Sequence, residues 1–207
     1  MTQLLFALGR MIGLGTCAGV RPSLTLAVIG MMYHLHAGTA LNPVFDFLSN
    51  WVAILVFVVL GLVEAGVDKI PRFDRVQSRL TLPYRVVMGG VAGAATIPYG
   101  WPGMAVGGVV GAGAAWFALE TKQGARPKTV PSDAVLVLMS IWEDVASCLA
   151  AVATLALPGF GYLTLAFTAV AQGRTRYLYR AKYRRMQKKG TGAGGGVSVG
   201  QPRQHGS

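Results

Sequence analysis

The chain has 207 residues, of which 53% are hydrophobic and only 13% charged, with a mean hydropathy of +0.48. Soluble domains carry roughly a quarter charged residues, so this composition cannot cover a water-exposed surface, and a soluble enzyme is excluded. The net charge of +11 is unevenly placed: residues 1–173 hold 10 bases against 8 acids, and nine Lys or Arg with no acid follow from Arg174. The basic excess therefore belongs to a tail and is no nucleic-acid signature of the body. The two cysteines, Cys17 and Cys148, lie in apolar stretches. They exclude a disulfide framework and offer no metal spacing.

An all-α, polytopic integral membrane protein remains. Spanning a bilayer takes roughly 17–25 apolar residues per helix. Six apolar segments meet or approach that length: about 11–33, 51–68, 82–98, 103–120, 134–157 and 159–172. The third and fourth are short and glycine-rich. Turn residues divide them, with Pro98-Tyr-Gly-Trp-Pro102-Gly103 after the third and Pro158-Gly-Phe-Gly161 after the fifth. Basic residues alternate between loops. His34 to Asn50 and Tyr99 to Pro102 have none, whereas Lys69, Arg72, Arg75, Arg79 and Arg85 fill one loop and Lys122, Arg126 and Lys128 another. Six crossings with both termini cytoplasmic are expected from that pattern.

The predicted organisation is a transmembrane domain over 1–173, a basic juxtamembrane helix over 174–189 and a disordered Gly-rich tail over 190–207. In the juxtamembrane stretch Arg174, Arg176, Arg180, Lys182, Arg184 and Arg185 are expected to meet anionic lipid headgroups. Stop-transfer anchoring explains the same residues more simply. The bilayer is the expected partner, with a homo-oligomer as a further one; no nucleic acid, cofactor or metal is expected.

Ionisable residues inside a bilayer are costly and are the first candidates for function. Arg21 lies eleven residues beyond Arg10, about 16 Å deeper along a continuous helix. Pro22 removes a backbone donor and frees the carbonyl of Ala18, so a helix break is predicted there. A broken helix with a cation at the break is one way to build a substrate site in a membrane. Glu143 and Asp144 form the matching acid pair, about 15 Å into the fifth segment. Adjacent helical residues point about 100° apart, so one acid is expected to pair with Arg21 and the other to face a cavity or neighbouring helix. A purely structural ion pair fits the same residues.

Glu64 and Asp68 share a helix face, followed by Lys69 and Asp74. They are read as charges at the inner mouth, either gating or simply solvated or bridged to Arg85. Gly89 and Gly93, then Gly103, Gly107 and Gly111, repeat at four-residue spacing and predict close helix packing within the chain, with dimerisation as the rival. Gly111-Ala-Gly113 lacks the GK[ST] of a nucleotide loop, and His34-Leu-His36 has no further ligands.

Taken in order, Ala18-Gly-Val-Arg21-Pro22-Ser-Leu24, Glu64-x-x-x-Asp68-Lys69-x-Pro71-x-x-Asp74 and Ser140-x-x-Glu143-Asp144 resemble bacterial membrane proteins of the domain of unknown function family 4126. The resemblance covers about residues 11–160 and leaves the basic tail outside. Family members often have Asn-Pro shortly before the Ser-x-x-Glu-Asp stretch, where this chain has Leu136-Val137. The resemblance implies a compact all-helical protein of the bacterial inner membrane and carries no activity. From the residues themselves, a small transporter or channel-like protein for an ion or small polar solute is expected. A structural or accessory membrane protein and an intramembrane lipid-phosphate enzyme are the alternatives. Arg21-Pro22 in the first half and Arg126-Pro127 in the second raise an inverted duplication.

Overall fold

The computed structural model describes residues 2–36, 41–67, 74–125 and 133–170, with the backbone alone for 74–81, 122–125 and 133–140. Among the described residues every regular element is helical: α1 (Thr2–Val20), α2 (Pro22–His34), a 3-10 helix (Pro43–Ser49), α3 (Trp51–Val67), α4 (Asp74–Ala95), α5 (Gly100–Ala125), α6 (Asp133–Ala156) and α7 (Phe160–Val170).

The first apolar segment is two helices, and proline chemistry explains the division. Arg21 N–H still donates to the Cys17 carbonyl at 2.8 Å, closing α1. Pro22 has no N–H to continue the ladder and stands at the start of α2. A residue before proline is pushed out of the helical region, and Arg21 has φ −142° and ψ 82°. Its carbonyl accepts from Thr25 N–H at 3.0 Å and Thr25 Oγ1 at 2.8 Å, opening α2. One residue therefore separates two helices.

Asn42 fixes the next corner. Its side chain accepts from Val44 N–H at 3.2 Å and donates to the Ile97 carbonyl at 3.0 Å, while its own N–H donates to Ala95 O at 2.9 Å. The α2–α3 connection is thereby tied to the α4–α5 turn. Asn50 then accepts from Val52 N–H at 3.0 Å at the start of α3, and the 3-10 helix meets α3 at 69°.

Helix α1 is central, packed against α4, α5 and α6, while α2 packs against α3 and α6. Small residues permit the approach. A Cβ added at Gly15 or Gly19 would strike the backbone of Gly111 or Ala115 on α5, and Gly93 and Gly107 meet backbone to backbone across α4 and α5. Gly9 and Gly161 do the same between α1 and α7. The core joins Leu14, Cys17 and Ala18 of α1 to Leu26 and Ile29 of α2 and Ala151 of α6.

The outer surface is apolar. On α3 only Ile54 and Gly61 are buried, while Val52, Leu55, Leu62 and Val63 are each more than half exposed. Among the described residues two helices, Thr2–Val20 and Gly100–Thr121, are long and apolar enough to cross a membrane, or three if the bent pair Pro43–Ser49 and Trp51–Val67 forms one span. Of the expected crossings, the first is divided at Arg21 into α1 and a 13-residue α2, and the sixth is the short apolar helix Phe160–Val170, below the roughly 17 residues of a straight span.

Candidate functional site

The end of α1 exposes carbonyls that its own helix cannot satisfy. Arg85, from α4, donates through one terminal nitrogen to Val20 O at 2.8 Å and Gly19 O at 3.3 Å. Its other terminal nitrogen donates to Glu64 Oε1 of α3 at 2.8 Å. Side-chain exposures of 4% for Arg85 and 9% for Glu64 make this a buried pair. Glu64 also accepts from Ser23 Oγ at 3.4 Å, and Ser23 shares a 2.8 Å hydrogen bond with the Tyr84 hydroxyl. A cation thus meets the carbonyl end of α1, and a carboxylate meets the amide end of α2. Both placements suit the helix dipoles.

The break is clasped on its other side by α6. Arg21, with 0% side-chain exposure, forms an ion pair through Nε with Asp144 Oδ1. Ser147, one turn beyond Asp144, donates to the Cys17 carbonyl at 3.2 Å and holds α6 against the last turn of α1. That register turns Asp144 toward Arg21. Glu143, about 100° around the helix, lines a cavity of about 580 Å³ between α1, α6 and α7. Arg21 thus meets Asp144, and Glu143 lines the cavity.

The remaining sequence candidates fall as follows. Glu64 and Arg85 lie together at the break. Asp68 and Lys69 lie outside the described residues, as do Arg174, Arg176, Arg180, Lys182, Arg184 and Arg185; Asp74 opens α4, described by its backbone alone. Gly89, Gly93, Gly107 and Gly111 face one another across α4 and α5, whereas Gly103 abuts Ile97 and Tyr99 of its own turn. Their close approaches are made within the chain. His34 Nδ1 is 3.0 Å from Ser49 O, and its ring meets the edge of Trp51 at 4.7 Å. Among the described residues no group of three His, Cys, Asp or Glu could hold a metal.

Sequence reasoning did not single out Tyr84 or Ser147. Ser23, beside the predicted break, reaches Glu64 and Tyr84. A phenol hydroxyl in Pro83-Tyr84-Arg85, beside an arginine already suspected, was the available signal for Tyr84.

No curated protein and no solved structure matches the chain. The family model described as Domain of unknown function (DUF4126) matches residues 8–175, reaching past the region that carries the three sequence motifs. With most of its length matched, and with the charged break inside the matched region, the chain belongs to the DUF4126 family.

Proposed function

We propose that this protein is a small polytopic membrane protein that moves an ion or small polar solute, with the α1–α2 break as its central gate. One observation carries the reading: a helix broken at a single residue, with two guanidiniums and two carboxylates meeting at the break inside an apolar body. Buried ion pairs gain little stability over well-packed apolar residues, so such groups in a membrane protein point to function. In the closed arrangement Arg21 is sealed. Opening would swing α2 about Arg21 and exchange its contact with Asp144 for contact with solute. We further assign six crossings, both termini on the cytoplasmic face of a bacterial inner membrane, and the basic tail to anionic lipid headgroups.

The complete burial of Arg21 also favours a second reading, an accessory protein in which the pairs only fix helix register. Flux screening in proteoliposomes over ions and small metabolites separates the two. Flux abolished by Arg21→Met with Asp144→Asn, in a variant that still folds, supports the gate. Absence of flux across the screen leaves the accessory role.

A further inference from the structure

The cavity between α1, α6 and α7 is bounded by polar groups that are already engaged. Thr16, Ser147, Thr164 and Thr168 contribute hydroxyls, but each donates to backbone: Thr16 to Ile12 O at 2.7 Å, Ser147 to Cys17 O at 3.2 Å, Thr164 to Gly161 O at 2.8 Å, and Thr168 to Leu165 O at 2.8 Å. Glu143, the carboxylate in the wall, is likewise engaged within the chain. The wall therefore presents mainly carbon. A hydrated ion or a sugar would lose water there and find few replacement partners. Apolar cavities stay dry, and an empty one forfeits the dispersion contacts of its lining. An apolar occupant restores them.

Shape and access narrow the occupant further. The wall runs from Trp142 to Ala150 on α6 and from Phe160 to Thr168 on α7, about 12 Å along each helix by its rise. The space is thus extended in the direction of the helices, with a volume of about 580 Å³. Trp142, Leu163 and Phe167 border it and are each more than 60% exposed, so it opens on the apolar exterior. A hydrocarbon chain aligned with the helices suits both the wall and the opening. Charge selects what that chain is attached to. Within six residues of Val170, the last residue of α7, the sequence reaches Arg174 and Arg176, and no acid follows to its end. A basic stretch next to the membrane favours an anionic headgroup.

We infer that this cavity holds one acyl chain of an anionic phospholipid, taken up from the bilayer and lying along α6 and α7. The bound chain lies against Ser147, whose hydrogen bond holds α6 to the last turn of α1, so its presence braces the clasp on Arg21. The inference rests on the membrane reading above and does not depend on flux.

The test uses the full chain in nanodiscs of equimolar phosphatidylglycerol and phosphatidylethanolamine with identical acyl chains, read by native mass spectrometry. One phospholipid per chain should survive release from the nanodisc, with phosphatidylglycerol enriched at least about fivefold, as one basic contact at a membrane surface gives. Ala150→Phe, which fills the cavity, should cut retention at least about tenfold by occupying the space of the acyl chain. Ala146→Phe, at the exposed edge of the cavity, should also lower retention and serves if Ala150→Phe fails to fold. Val109→Phe, on the exposed face of α5, should retain lipid as the unaltered chain does. Retention that is equal in Val109→Phe and in both cavity variants overturns the site, as does equal retention of the two phospholipids. Recovery of the chain in the soluble fraction of cells overturns the membrane reading and the site with it, whereas a membrane-embedded chain with no retained lipid overturns the site alone. Retained lipid without solute flux supports the site and counts against transport. Flux with no retained lipid overturns the site and leaves the transport reading standing.

Discussion

Arg21 and Arg85 approach the same backbone break with different partners, and their substitutions should separate accordingly. Arg21, at the end of a fully buried side chain, contacts the carboxylate of Asp144. Arg21→Ala should lower stability by about 3 kcal/mol, because it leaves a carboxylate poorly compensated in a low-dielectric interior. Arg21→Met combined with Asp144→Asn should recover at least about 1 kcal/mol of that loss in a double-mutant cycle read by thermal unfolding in detergent. Simple additivity would remove the pair from the account. Arg85 also satisfies the carbonyls of Gly19 and Val20, which no change at Glu64 can compensate. Arg85→Met with Glu64→Gln should therefore recover less than the Arg21 cycle does. Equal recovery in the two cycles would show that the carbonyl contacts contribute nothing.

Among the elements, glycines on α5 divide by face, which gives a paired expectation. A Cβ on Gly107 would lie 2.7 Å from the Gly93 carbonyl oxygen, whereas one on Gly113 would meet nothing within 4 Å. Gly107→Ala should destabilise by about 1–3 kcal/mol through overpacking. Gly113→Ala should stabilise by roughly 0.5–1 kcal/mol by removing the helix penalty of glycine. Thermal unfolding of the two variants side by side checks both signs. The same packing explains what the sequence could reveal. The break at Pro22 was legible because proline acts on its own turn. Equal depth of Arg21 and the acid pair was legible because helix rise is constant. The contact of Asp144 with Arg21 was not, since it depends on the rotation of α6 against α1, held by the Ser147 hydrogen bond across 130 residues of sequence separation. Nor could periodicity reveal that Arg85 would reach the carbonyl end of α1, because that contact exists only once α4 crosses α1.

For the whole molecule, the open matter is how the helices lie in a bilayer. The sequence pattern places the loop around Asn42 on the outer side, yet Asn42 is buried and holds two segments together. Val44, 64% exposed, is the better reporter. In a background lacking Cys17 and Cys148, Val44→Cys should react with an impermeant thiol reagent added to intact cells. A cysteine placed at position 77 or at the C-terminus should react only after permeabilisation. Labelling of the C-terminus in intact cells would overturn the six-crossing arrangement, because it would put the basic tail outside.

The clasp on Arg21 also sets a timetable for biosynthesis. Its carboxylate partner is translated roughly 120 residues later, a delay on the order of ten seconds at ordinary elongation rates. Until then α1 and α2 present a guanidinium to the insertion machinery or to lipid, without the group that neutralises it in the finished fold. The nascent chain is therefore most exposed to proteolytic clearance before α6 emerges. A chain truncated after residue 125 should be cleared quickly in pulse-chase labelling, and Arg21→Leu in that truncated chain should lengthen its lifetime.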